Sequence, residues 1–256
     1  MHWAFAAYFG SGWYVAGDRQ EVYALRITPR WQVAEWRRSR DAGPVTLQLR
    51  LPLTVGLYSL DVRSPEESVD IDNLAAASLT PGLVLDWPVT SRWTLRPQVY
   101  AGWGSELDGE EEAWIYWTGV KSRYALGRTE SRWTLLNGLA YLGHEPSEGR
   151  SSDFGALMAG LEFGADAPFQ LPGGGPLRLH WHGIYTAYVD PVRFRLGSLR
   201  DSRIAEEWEF GVSAGGRREA IQIWRLSFDR LGLAYRFTSS GKFQGISLVF
   251  NSVFER

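Results

Sequence analysis

Residues 45–57 read VTLQLRLPLTVGL, and this stretch decides the fold. Its odd positions are Val45, Leu47, Leu49, Leu51, Leu53, Val55 and Leu57, all aliphatic. Its even positions are Thr46, Gln48, Arg50, Pro52, Thr54 and Gly56. Successive side chains of a strand point to opposite faces, so a strand sorts these two sets cleanly, whereas a helix would mix them on every face. Working outward, the same period of two returns in 79–89 (Leu79, Leu83, Leu85, Trp87 against Thr80, Gly82, Asp86) and in 93–103 (Trp93, Leu95, Val99, Trp103 against Thr94, Arg96, Gln98). It returns again in 177–189 and 23–31, and at both chain ends, where Trp3, Phe5, Phe9, Trp13 and Val15, and later Ile246, Leu248, Phe250 and Phe254, share a face.

The alternation predicts strands over 3–16, 20–32, 44–58, 77–89, 92–104, 113–126, 132–143, 153–165, 176–189, 206–214, 224–237 and 243–254. Twelve is an even number, with ten and fourteen as the neighbouring alternatives, and the 256 residues form a single domain, 1–256. The acidic segment 63–77 reads as a loop. The apolar phase flips between Trp224, Leu226, Phe228 and Leu231, Leu233, Tyr235, so a bulge or turn is expected near Asp229–Arg230.

Composition narrows the class further. There is no Cys, which excludes a disulfide scaffold, thiolate-held zinc, an iron–sulfur cluster and a thiol nucleophile. A net charge of -2 gives no overall pull toward nucleic acid. No apolar run is long enough for a transmembrane helix. Thirteen Trp and 28 Gly are nevertheless unusual beside a mean hydropathy of -0.23. All but two of the 27 cations are Arg, the exceptions being Lys121 and Lys242. Arg suits confined sites, because its planar fork bonds two acceptors at once.

Two architectures use period-two strands. A soluble sandwich or ligand-binding barrel points its apolar face inward, and a membrane barrel points it at lipid with polar groups in the lumen. Strand length favours the membrane: a tilted crossing needs ~9–11 residues, against ~5–6 in an average strand. Aromatic placement agrees, with Trp13, Trp31, Trp87, Trp93, Trp103, Trp133, Tyr185, Phe237 and Phe254 near strand ends on the apolar face, where an indole or phenyl ring suits the headgroup level. Connections near 89–92, 127–131 and 166–175 are expected to be short, and those near 59–76, 105–112, 144–153 and 190–205 long, as on the two rims of an outer-membrane barrel. Backbone amides in lipid must all be paired, so the sheet closes on itself. The expectation is an all-β, closed antiparallel transmembrane barrel.

The run LGLAYRFTSSGKFQGISLVFNSVF (231–254) resembles the last hairpin of autotransporter translocator barrels, through Gly232, Tyr235, Arg236 and Phe237, a short turn, and alternating apolar residues ending at Phe254. The chain as a whole is similar to the solitary autotransporter-like outer-membrane barrel family, in which twelve strands stand without a passenger. The resemblance implies the bacterial outer membrane as location, with lipid and lipopolysaccharide around the barrel. It also implies the barrel-assembly machinery as a partner, through a last strand ending at Phe254. The chain departs from the pattern in carrying Glu255 and Arg256 after that aromatic. Strand one is read as starting almost at Met1, which argues against secretion of a passenger. The start MHWAFAAYFGSG lacks a cationic leader region, so a removed or trimmed signal peptide is expected.

The phase directs Arg26, Arg30, Arg50, Asp86, Arg96, Glu162, Arg178, Glu209 and Arg236 into the lumen, together with His180 and His182. Arg outnumbers acid in this set. It therefore supports either an ion-paired plug or a narrow, mildly cationic pore. His180 and His182 share a face, but spacing supplies no third ligand, so neither a metal nor a cofactor is expected. The runner-up to a non-enzymatic barrel is an outer-membrane hydrolase of lipase or protease type at the extracellular rim. It would draw on His144, Ser147, Ser151 and Ser152, or on His144 with Glu145, Asp190 and Asp201. The acidic run Glu106–Glu112 reads as a solvated outer loop, and the Arg-rich 33–43 connection as a contact for anionic headgroups.

Overall fold

The computed structural model describes residues 8, 10–16, 20–37, 42–60, 74–107, 111–127, 132–148, 151–170, 176–196, 200–216, 221–223 and 226–254. Twelve strands run through them in a meander: β1 (Gly12–Ala16), β2 (Gln20–Ile27 and Arg30–Trp36), β3 (Val45–Arg50 and Leu53–Leu60) and β4 (Leu74–Leu79 and Gly82–Pro88) come first. β5 (Trp93–Glu106), β6 (Glu112–Leu126), β7 (Trp133–Pro146) and β8 (Ser152–Gln170) follow. β9 (Pro176–Leu196), β10 (Arg200–Gly215), β11 (Arg230–Phe237) and β12 (Phe243–Phe250) complete the wall. Each strand pairs antiparallel with the next, and β1 pairs with β12 (Gly12 opposite Ser247), so the sheet closes. A small ribbon, Ile221–Ile223 with Leu226–Phe228, sits between β10 and β11. It ends just before Arg230, where the phase flip predicted a break. We call the rim where β12 ends the C-terminal rim and the opposite one the far rim.

β2, β3 and β4 are each split at a proline. Leu51 N–H donates to Pro29 O, Thr80 N–H to Pro52 O, and Ala101 N–H to Pro81 O. A proline has a carbonyl but no amide hydrogen, so each of these pairs keeps one ladder bond out of two. The three prolines thus form a crease across neighbouring strands while the wall stays continuous.

Strand bounds differ from expectation where chain lies beyond the apolar band. β8, β9 and β10 continue as tall ribbons (Val192 opposite Ile204, Leu196 opposite Arg200), and the ends of 105–112 and half of 144–153 are strand as well. The Arg-rich connection is also shorter than expected, because β2 runs on to Trp36 past a register shift at Gln32/Ala34. Arg38 and Arg40 lie outside the described residues. Loop length therefore does not separate the two rims. A ribbon standing in water can be polar on both faces, and the loss of the apolar alternation there hid these extensions.

The chain ends differ too. β1 begins at Gly12, not near Met1, and Trp3, Phe5 and Phe9 lie outside the described residues. Gly10 has φ +80, the left-handed region that glycine enters at little cost, and it precedes the turn into the wall. β12 stops at Phe250, and Asn251 at φ 69 turns the tail away from the strand direction.

Candidate functional site in the lumen

The outer face of the wall is apolar and the inner face polar. Leu49, Leu83, Val99, Leu157, Leu233 and Ile246 are exposed, Leu157 at 54%, while Arg50 and Arg96 are 4% and 3% exposed inside the barrel. Thirty-six large apolar side chains are exposed among the described residues. A soluble monomer rarely shows apolar patches beyond a few hundred Å². This is the orientation the alternation predicts.

The half of the lumen near the C-terminal rim is a network of charges. Arg230, where β11 starts, sends Nη1 to Glu162 Oε2 on β8 at 2.8 Å, and Glu162 lies 3.5 Å from His180 Nδ1 on β9. These strands are not all neighbours, so the contact ties separate parts of the wall. Arg96 is ion-paired with Asp86, and Gln48 bridges Arg50 to the same carboxylate (Gln48 Nε2 to Asp86 Oδ2, 2.9 Å). Arg30 meets Asp229 at 3.7 Å and Arg178 meets Asp166 at 3.7 Å. Nearer the middle, Arg236 Nε donates to Glu207 Oε1 (2.6 Å), Tyr188 donates to the other oxygen of Glu207 (3.2 Å), and His182 Nε2 lies 2.8 Å from Glu209 Oε1. The His182 ring occupies space over Gly211, where a Cβ would come within 2.4 Å of it.

The far half is packed with rings. Tyr100 stacks on Trp117 with centroids 4.2 Å apart, and Tyr14 stacks on Phe243 at 5.9 Å. The Arg26 guanidinium of β2 reaches across the lumen to lie 5.1 Å from the Trp117 ring of β6. Tyr14, Tyr100, Ile115, Trp117, Phe154 and Phe243 belong to one buried cluster.

Residues flanking the wall on both sides, Tyr8 and Val253–Phe254, enter this interior. Tyr8, upstream of β1, donates its hydroxyl to the carbonyl of Gly143 and packs edge-on to Trp117 and Phe154. Downstream of β12, Val253 and Phe254 pack with Leu136 and Ile184. Arg96 Nη1 donates to Phe254 O at 2.9 Å, and its guanidinium lies 4.4 Å from the Phe254 ring. Phe254 is therefore not a girdle residue and does not end the last strand. Its backbone has already turned inward at Asn251, and Phe250 holds the final strand position.

The other sequence-derived residues fall as follows. Arg26, Arg50, Asp86, Arg96, Glu162, Arg178, His180, His182, Glu209 and Arg236 all face the lumen. Glu207 and Arg230 join them, and the period of two extended from Glu209 and Gly232 would have found both. Trp13, Trp31, Trp93, Trp103 and Trp133 are exposed on the outer face, and Trp87, Tyr185 and Phe237 are half-buried. His144 is buried and points inward while Glu145 points outward, and Ser147 Oγ accepts the Glu112 amide. Ser151 is exposed, and the side chains of Asp190 and Asp201 lie outside the described residues. Among the described residues no group of three or more His, Asp or Glu is placed to hold a metal ion.

Among the described residues the packed interior leaves room for cavities in each half. One, about 160 Å³, lies among Tyr8, Leu142, Phe154, Met158, Ile204 and Tyr188, with Glu207 and Arg236 at its edge. The other, about 290 Å³, lies at the C-terminal rim, bounded by Arg96, Arg123, Arg178, His180, Arg230 and Phe254.

No protein-family model matches the sequence, and no curated protein matches it. Among solved structures the chain is similar to the transport unit of the autotransporter AIDA-I from Escherichia coli, with a TM-score of 0.51 at 10% identity over 94% of this chain and 88% of that one. At that identity the similarity is one of fold alone: the chain is a closed, twelve-stranded antiparallel barrel.

Proposed function

We propose that this protein is an integral outer-membrane barrel of autotransporter-like architecture that acts as a closed surface scaffold and not as an open pore. The exposed apolar wall calls for acyl chains around it, so outer-membrane lipid and lipopolysaccharide are its surroundings. The observation that carries the closed reading is contact across the lumen between strands that are not neighbours. Arg26 lies over Trp117, Arg230 holds Glu162, and the tail residue Phe254 packs on Leu136 and Ile184. A barrel of twelve strands is wider than the eight-stranded type that side chains alone can fill. Here large rings, Tyr8 before β1 and Val253 and Phe254 after β12 make up the difference. In this reading the barrel-assembly machinery meets a last strand that ends at Phe250 and not at Phe254.

The test is conductance of the refolded full chain in planar bilayers. Silence, or rare brief openings, is the expected result. Steady anion-selective steps would overturn the closed reading and restore the pore.

A further inference from the structure

The apolar outer face is interrupted by polar side chains on β6 and β7. The outward residues of β7 are Trp133, Leu135, Asn137, Leu139 and Tyr141, so a carboxamide stands midway between the two aromatic ends of the strand. The register sets Asn137 opposite Ser122 of β6 and Ala159 of β8. The rows on either side of it hold Leu139 with Leu157, and Leu135 with Leu161, all four of them exposed.

Two further polar residues face outward on β6, and each has a partner within its own wall. Thr118 Oγ1 donates to Gln98 O (3.2 Å), and Ser122 Oγ accepts Trp93 Nε1–H (3.0 Å). The half-buried Asn137 side chain forms no hydrogen bond among the described residues. An amide offers two donors and an acceptor, more than the one hydroxyl of Ser122 can meet. In the hydrocarbon core there is no water to meet them either, so the group is costly until another protein reaches it.

We propose that the β6–β8 face is the interface of a two-fold dimer, in which Asn137 bonds to Asn137 of a second copy. This rests on the membrane reading of the apolar wall. Symmetry selects the occupant. Two copies inserted alike in one bilayer are related by an axis along the membrane normal, so a residue on that axis meets its own counterpart at the same depth. A charged group there would repel its copy. A carboxamide is its own complement, because each can donate to the oxygen of the other and two bonds form together. The small Ala159 beside it lets the two walls approach, and the four leucines close around the pair.

The experiment uses the full chain refolded into phosphatidylcholine vesicles. The chain has no Cys, so Lys242→Cys, in an exposed turn, supplies a single labelling position. Donor-labelled and acceptor-labelled pools are mixed, and energy transfer is followed as lipid is added in excess, with and without Asn137→Leu. An outward leucine suits lipid, and heat-modifiable gel migration checks that the variant folds. In separate unlabelled samples, Asn137→Cys and Ile246→Cys, the latter on β12, are oxidised in the same vesicles. The expected result is transfer that dilutes out as a two-body equilibrium, with a dissociation constant raised roughly fivefold or more by Asn137→Leu. A disulfide-linked dimer is expected from Asn137→Cys and not from Ile246→Cys. Absence of transfer in the parent, transfer that Asn137→Leu leaves unchanged, or cross-linking no better at 137 than at 246 overturns the interface. A chain that does not enter the vesicles at all overturns the membrane reading beneath it.

Discussion

The two halves of the lumen solve the same problem by different chemistry. Toward the far rim the space is filled by rings: Tyr14 on Phe243, Tyr100 on Trp117, and Tyr8, from upstream of β1, on Trp117. Toward the C-terminal rim it is filled by guanidinium groups and carboxylates, among them Arg230 with Glu162 and Arg96 with Asp86, and capped by the tail. Rings pack without regard to partner identity, and their contribution scales with the area they remove from water. Ion pairs away from water depend on each partner, because desolvation offsets most of the attraction. The far half should therefore tolerate changes of shape poorly, and the C-terminal half changes of charge balance.

That contrast is broken most severely by one substitution in each half. Glu162→Ala leaves Arg230 buried without its carboxylate and is expected to cost about 3–5 kcal/mol in urea unfolding from lipid vesicles, whereas Glu162→Leu with Arg230→Met recovers most of the loss. Trp117→Ala removes the ring shared by Tyr100, Tyr8 and Arg26 and is expected to cost about 3–5 kcal/mol, with no charge substitution restoring it. If a second-site charge change rescues the tryptophan variant, the division between the halves fails. A smaller effect is expected of Phe254→Ala. It frees the Arg96 face and uncaps the C-terminal mouth, at about 1–2 kcal/mol from the lost ring contact, and conductance events should become clearly more frequent than in the parent. The smallest belongs to the wall and not to the lumen. Pro81→Val supplies an amide opposite Ala101 and should raise stability by about 0.5–1.5 kcal/mol, seen as a higher temperature for loss of the compact gel band.

The sequence made the wall legible because alternation is local. Leu47, Leu49, Arg50 and Leu53 declare their faces within a few residues, and β5, β6 and β7 end within three residues of their predicted bounds. The same rule placed Arg96, Glu162 and His182 inside. It could not say what fills the centre. Whether Trp117 meets Arg26 depends on strands four apart around the barrel, and Trp103 and Trp117 are the same residue type with opposite surroundings, one 45% and the other 6% exposed. The tail misled for a related reason. Phe250 and Phe254 are an even number apart and read as one face, but Asn251 takes the chain out of the extended conformation between them. The crease at Pro29, Pro52 and Pro81 was also hidden, since each proline taken singly marks only a weak point and their alignment is a property of register.

The grip on Phe254 also makes the tail a gauge of the whole cylinder. Its seat is made jointly by Arg96 of β5, Leu136 of β7 and Ile184 of β9, while residues 251–254 hang from β12, whose partner across the seam is β1. Phe254 meets all three only where the wall has come full circle, so a sealed mouth reports a completed circumference.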